Sequence, residues 1–294
     1  MSKLITLLGL MVASWSALAA SPPANVDFQP DITYATVDGE ELKLDLSRPK
    51  DVKGPLPCVV VIHGGGWGAG NRKGHDNITW ELASRGFVAA TVSYRFAPKH
   101  PFPAQIQDVK AAVRFLRGNA GKYNVDPAKV GAVGFSAGAH LSLLLGVMDK
   151  GDGLDDVGEY RDQPSKVQAV VSYFGPTDLL APYPEVTKPI LEKFLGGPVE
   201  QKHELAKRAS PVTYVSAGDA PTLLFQGTKD PLVPYDQAVR MADALTKAGV
   251  PGRVELIFGV GHGWAGVDMR RTGAETWAFF DQQLKPAAAA AAKP

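Results

Sequence analysis

The sequence predicts an α/β fold: a mainly parallel sheet with helices on both faces, led by an antiparallel N-terminal hairpin. Three observations predict it. Short apolar runs such as Cys58-Val59-Val60-Val61-Ile62 recur along the chain without polar alternation, as strands covered on both faces require. Between them stand segments whose apolar residues fall at helical spacing. Ahead of them, residues 32–37 and 42–46 do alternate, on either side of a turn-forming Asp38-Gly39.

The elements follow in order. After the hairpin and the run at 58–62, residues 87–94, 130–135, 167–174, 222–225 and 253–258 read as strands. Residues 104–116 place Ile106, Val109, Val113 and Leu116 at steps of three and four. Residues 137–147 are apolar almost all round, which is the mark of a buried helix. Residues 235–248 and 273–284 are amphipathic helices. Two stretches break the rhythm. Residues 150–166 are acidic and read as a solvated loop, since the spacing matches no EF-hand. Residues 176–219 hold several prolines and few strand signals. They are either an irregular connection or a cap-like insertion beside a site.

Composition bounds the function. The chain has 294 residues, 45% of them hydrophobic and 21% charged, which excludes wholesale disorder and suits one domain over 24–284. Lys and Arg number 31 against 30 Asp and Glu, so no basic surplus points to nucleic acid. The single Cys58 excludes an intrachain disulfide framework and a cysteine-based zinc site.

The ends of the chain differ from its middle. In residues 1–19 Lys3 is the only charge, an apolar run covers 4–13, and Ala17-Leu18-Ala19 fits a small-x-small cleavage site. This is the pattern of a signal peptide cut after Ala19, with a secreted or periplasmic mature protein. The run is short for a membrane anchor. No membrane span is expected in the mature chain. Residues 286–294, rich in alanine, read as a disordered tail.

Ligands of parallel α/β sheets bind at the carboxyl ends of the strands, so the turns there are where chemistry is sought. Gly134-Phe135-Ser136-Ala137-Gly138 follows one strand and opens the buried helix, the context of a nucleophile elbow. Ser136 is the candidate nucleophile. His63-Gly64-Gly65-Gly66-Trp67 follows the strand at 58–62, and its glycines let backbone N–H groups converge on one point. The N–H groups of Gly65, Gly66 and Ala137 are the candidate oxyanion hole. A serine needs a base, and His262, in a glycine-rich loop after the last strand, is the candidate. His63 reads as a loop brace. His140 lies one helical turn beyond Ser136 and reads as structural. Asp230, after the preceding strand, is the favoured acid, and Asp178 is its rival one strand earlier. Trp67 and Trp264 flank the site as candidate substrate-binding rings. Arg95 and Asp108 read as a partly buried ion pair.

HGGGW, GFSAGAHL, YFGPTDL, GTKDPLVPY and GHGW, with the stretch SYRFAPKHPFPAQIQDVKAAVRFLR, resemble the motifs of secreted bacterial α/β-hydrolases of the lipase/esterase group. The feruloyl and acetyl-xylan esterases are the most similar subgroup, and hormone-sensitive-lipase-like carboxylesterases are wider relatives. The resemblance covers about residues 56–284. It implies the α/β-hydrolase fold, a Ser136–Asp230–His262 triad, the glycine-loop oxyanion hole, no cofactor and no metal. The implied partner is a small-molecule or polysaccharide-linked ester, short acyl groups above all, met at a fairly open site. A serine peptidase of the same fold and a catalytically inactive binding module are the alternatives. The sequence leaves the oligomeric state open.

Overall fold

The computed structural model describes residues 21–285. The expected signal segment and the alanine-rich tail lie outside them. Among the described residues the strands are β1 (Val26–Val37), β2 (Glu40–Pro49), β3 (Leu56–Ile62), β4 (Val88–Val92), β5 (Val125–Phe135), β6 (Ala169–Tyr173), β7 (Thr222–Gly227) and β8 (Gly252–Ile257). They form one sheet in the order β1-β2-β4-β3-β5-β6-β7-β8. β1 and β2 pair antiparallel, and β2 joins β4 antiparallel. From β4 onward every pairing is parallel. The α/β fold with an antiparallel leading hairpin is what the apolar runs predict.

The helices are α1 (Asp76–Ser84), α2 (Ala104–Gly118), α3 (Ala120–Tyr123), α4 (Ala137–Val147), α5 (Lys188–Leu195), α6 (His203–Arg208), α7 (Asp236–Lys247) and α8 (Gly266–Leu284). Side chains alternate across a strand, so each central strand feeds two cores. Val60 and Ile62 pack in the core shared with α2, α4 and α7. Val59 and Val61 pack in the other, with Ile78 and Leu82 of α1 and Trp277, Phe280 and Leu284 of α8. Every residue of α4 is buried, as its all-round apolar pattern requires.

The departures have local causes. α1 buries only Ile78, Thr79, Leu82 and Ala83, a stripe too short and too diluted to read as periodic. α8 begins at Gly266 rather than 273, because its first turns carry exposed or half-buried residues and bury nothing before Thr272. The stretch 150–166 is not simply solvated. Asp155 accepts from buried Lys110 at 2.9 Å and buried Arg114 at 2.5 Å, both on α2, and from Ser165 at 2.7 Å. The proline-rich stretch 176–219 holds α5 and α6, and α5 turns Leu191, Phe194 and Leu195 inward.

Arg95 and Asp108 form the expected ion pair, more deeply than expected. The guanidinium bonds both carboxylate oxygens at 2.9–3.1 Å, and the Arg95 backbone N–H adds a bond at 2.8 Å. The Asp108 side chain is fully buried. The pair ties the loop after β4 to α2. Removing Asp108 leaves the buried Arg95 guanidinium with the exposed Asp38 carboxylate, at 3.2 Å, as its remaining ion-pair partner. Asp108→Ala is therefore expected to lower the unfolding free energy by about 3–5 kcal/mol, read from urea midpoints at unchanged m-value. A loss below about 1 kcal/mol would show that Arg95 finds other solvation.

Candidate active site

Of the parallel strands, β3, β5, β6, β7 and β8 end at one edge of the sheet, and the loops leaving them build one cavity of about 340 Å³. Ser136 sits at its floor, between the end of β5 and the start of α4. Its backbone is strained, with φ 53° and ψ −118°. Such a turn needs close backbone approach on both sides. A Cβ on Gly134 would lie 2.2 Å from the Gly138 carbonyl oxygen, and one on Gly138 would lie 2.1 Å from that of Ile62. Only glycine fits at either position. The Ser136 N–H donates to the Tyr173 carbonyl at 2.9 Å, which fixes the turn to β6.

His262 comes from the loop after β8. Its Nε2 lies 2.8 Å from Ser136 Oγ, and its Nδ1 lies 2.7 Å from Asp230 Oδ2. The Asp230 side chain is fully buried and fully satisfied as an acceptor. Besides His262 it accepts from Gln226 Nε2 at 3.0 Å and from the Leu232 and Val233 N–H groups at 2.9 Å each. Because a carboxylate only accepts, the Nδ1 of His262 carries the proton and Nε2 faces Ser136 as an acceptor. Asp178, the rival acid, is elsewhere: it accepts from the Leu180 N–H and from Arg240.

The glycine loop after β3 reaches the same cavity. Gly65 has φ +114°, and a Cβ there would meet the Ala69 carbonyl oxygen at 2.1 Å. Among the described residues, the N–H groups of Gly65, Gly66 and Ala137 have no acceptor in the protein. His63 braces the loop, as expected. Its Nδ1 donates to the Gly64 carbonyl at 2.7 Å, its ring stacks on Tyr94, and the Tyr94 hydroxyl donates to the His63 carbonyl at 3.0 Å.

Trp67 and Trp264 both wall the cavity, but they are 2% and 5% exposed. Trp67 stacks on Phe194 of α5, and Trp264 donates to Thr272 at 3.0 Å. Both pack as walls of the cavity. The insertion contributes Pro176, Thr187 and Ile190 to the cavity. Phe174 has no forerunner in the sequence reading. It follows β6 directly, lies 4.6 Å from the His262 ring and faces the cavity. Its place at a strand's carboxyl end is the signal that could have found it. His75, stacked on Phe135 at the cavity wall, had no such signal. Among the described residues no cluster of three or more His, Cys, Asp or Glu could hold a metal ion.

Residues 44–245, well over half of the chain, match the model of the BD-FAE family. The chain belongs to the BD-FAE family. This BD-FAE protein is similar to esterase LipC of Mycobacterium tuberculosis, at 32% identity over 262 residues, covering 85% of this chain and 64% of LipC. It is 28% identical to the ethyl acetate hydrolase of Pseudomonas putida, covering 84% of this chain and 79% of that enzyme. The chain spans between about half and two thirds of the first curated relatives it matches: LipC at 64%, LipM at 51% and LipQ at 53%. Among solved structures, a truncated carbohydrate esterase from gut microbiota superposes with a TM-score of 0.79 at 29% identity, over 90% of this chain and 99% of the other. Esterase 2 of Thermogutta terrifontis, phosphonylated by cyclosarin, gives a TM-score of 0.74 at 27% identity, over 87% and 95% of the two chains. The same esterase has been solved with propionate and with butyrate bound. These neighbours share the α/β-hydrolase architecture of this BD-FAE chain.

Burial lowers the pKa of His63 and of His140 from 6.5 to about 4. Between those limits the unfolded chain binds more protons at these sites than the folded one. Their contribution to stability is therefore full above about pH 6.5 and is lost as the pH falls to about 4. Asp76 opposes them: burial, then the charge of Asp45, raises it from 3.8 to about 6, so its ionisation weakens the fold as pH rises through that window. His140→Asn removes one histidine titration. The fall in melting temperature from about pH 7 to about pH 4.5 is expected to be smaller in that variant than in the wild type. Equal falls would mean that His140 titrates alike in both states.

Proposed function

We propose that the protein is a carboxylic ester hydrolase working through an acyl-enzyme on Ser136. The observation that carries this reading is the continuous hydrogen-bonded line from Ser136 Oγ through the His262 ring to buried Asp230, at the floor of a cavity bordered by unpartnered backbone N–H groups. In this mechanism Ser136 Oγ attacks the acyl carbon while its proton passes to His262 Nε2. The carbonyl oxygen becomes an oxyanion, which the N–H groups of Gly65, Gly66 and Ala137 stabilise. His262 then gives the proton to the departing alcohol oxygen. Water then loses a proton to His262 and attacks the acyl carbon, the acyl–Oγ bond breaks, and His262 returns the proton to Ser136 Oγ as the acid leaves. Asp230 holds the imidazole in the required tautomer and stabilises its charged form. The named activities of LipC and the ethyl acetate hydrolase support the reaction class.

The substrates proposed are short-chain acyl esters such as acetyl or feruloyl groups on carbohydrate. The cavity stands at the small end of the ~300–1,000 Å³ usual for ligand sites. Its walls include Phe135, Tyr173 and Phe174, apolar surface suited to a small alkyl or aromatic acyl group. The propionate and butyrate bound to the Thermogutta esterase, and the carbohydrate esterase from gut microbiota, support the same class. Trp67 and Trp264 serve as walls of that pocket. We also propose that residues 1–19 are an export signal and that the mature protein works outside the cytoplasm. Among the described residues no helix is long and apolar enough to cross a membrane. An N-terminus at Ala20 in protein recovered from outside the cytoplasm would support this, and an intact Met1 there would refute it.

Ser136→Ala and His262→Ala are each expected to lower kcat by at least ~10³-fold with melting temperatures near that of the wild type. Asp230→Asn is expected to cripple turnover and Asp178→Asn to spare it. Near-full activity without Ser136 would sink the nucleophile, and the reverse ranking of the two aspartates would move the acid to the loop after β6.

On p-nitrophenyl esters of graded chain length, acetate to butyrate should be cleaved with higher kcat/KM than laurate. A preference for laurate would overturn the short-chain reading. Acetate release from acetylated xylan tests the carbohydrate part, and no release would reduce the claim to a short-chain carboxylesterase.

A further inference from the structure

The residue after the glycine loop and a residue one turn into the serine's helix are joined by a buried hydrogen bond that the mechanism above does not use. Trp67 Nε1–H donates to His140 Nδ1 at 3.2 Å, and His140 Nε2–H donates to the Ala209 carbonyl at 2.6 Å. His140 is fully buried. A carbonyl oxygen only accepts, so Nε2 holds the proton and the Nδ1 lone pair is left for the indole. The Trp67 and His140 rings meet edge to face at 5.1 Å, and the indole stacks on Phe194 at 4.1 Å, which in turn meets His140 edge to face at 5.6 Å.

Two further facts give this contact its meaning. Trp67 has φ 56°, a left-handed backbone that a bulky residue adopts only when its surroundings impose it. Gly65 and Gly66, just before it, have no side chains with which to hold their own peptide planes. Those planes are held through their carbonyls, that of Gly64 by His63 Nδ1 and the Tyr94 hydroxyl and that of Gly65 by the Gly68 and Ala69 N–H groups, so the loop moves as a unit, and Trp67, the first anchored side chain downstream, fixes where that unit sits over Ser136. His140 in turn is fixed to the strained turn, since its N–H donates to the Ser136 carbonyl at 3.0 Å.

We propose that His140 is a positioning residue for catalysis: through Trp67 it sets the glycine-loop N–H groups in register with Ser136. The proposal rests on the reading of Gly65 and Gly66 as oxyanion donors. His140 does not touch the substrate. Its contact with Ala209, at the end of α6, also couples the cap-like insertion to the same register. Oxyanion donors act over a narrow distance range, so a loop displaced by a fraction of an ångström loses transition-state stabilisation while substrate still binds.

The test separates the two nitrogens of the ring. Asn places an acceptor where Nδ1 stood, and Gln places a donor where Nε2 stood. Initial rates on p-nitrophenyl acetate come first: if the wild-type protein shows no ester hydrolysis, the hydrolase reading itself fails. With a working wild type, His140→Leu and His140→Gln are expected to lose about 10²-fold in kcat with little change in KM. Their affinity for a boronic-acid transition-state analogue should fall in parallel. His140→Asn, which retains the acceptor for Trp67, is expected to stay within about tenfold of wild-type kcat. Trp67→Phe keeps a ring against Phe194 but removes the N–H, and is expected to match His140→Leu with His140 intact. This variant decides the matter if the His140 variants fail to fold. A His140→Leu or Trp67→Phe enzyme with wild-type kcat would overturn the proposal. So would His140→Asn performing no better than His140→Leu, because a merely structural lock would lose melting temperature in all variants without this ranking in kcat.

Discussion

The backbone turn at Ser136 is the constraint on which the rest of the structure depends. A residue at φ 53° between a strand and a helix stands in a sparsely populated conformation and persists only if its neighbours hold it. The sheet and α4 do so by approaching each other so closely that Gly134 and Gly138 leave no room for a methyl group. That approach requires α4 to lie buried along its whole length, which its apolar sequence permits. The turn thus joins local chemistry to the packing of the sheet centre. A side chain at either glycine would force the strand and helix apart and move Ser136 with them.

The strands then decide who meets the serine. Parallel strands end together, so loops from β3, β6, β7 and β8 converge on the end of β5 although they are far apart in the chain. Ser136 and His262 are separated by 126 residues and bonded at 2.8 Å. The polar groups of the site sit in mostly apolar walls, where an unpaired charge would be costly and a paired one is strongly felt. Asp230 is buried, and each of its oxygens has donors from Gln226, Leu232, Val233 or His262. The N–H groups of the glycine loop stand in contrast, since they are left unpaired beside the serine.

The insertion between β6 and β7 acts on this centre from one side. α5 sets Phe194 against Trp67, and Ile190 lies close enough to Gly66 that a Cβ there would meet it at 2.9 Å. Packing of the insertion and geometry of the glycine loop are therefore not independent. The pair Arg95–Asp108 acts at the base of the same region by fixing the loop that follows β4, whose Ala97 N–H donates to the Trp67 carbonyl at 2.9 Å.

The sequence by itself determined the alternation of strands and helices, the leading hairpin, and the candidates Ser136, Asp230 and His262. It could do so because those signals are local: a run of branched apolar residues, a glycine pair around a serine, a loop placed directly after a strand. The tertiary structure alone decided which carboxylate reaches His262. Asp178 and Asp230 both follow strands, and only the path of the loop after β7 brings Asp230 within 2.7 Å. It also decided that Trp67 and Trp264 are buried walls, since exposure depends on what α5 and α8 lay over them. The contacts of Phe174 with His262 and of His75 with Phe135 were invisible for the same reason. A ring's partner across the cavity lies scores of residues away, and no periodicity along the chain records it.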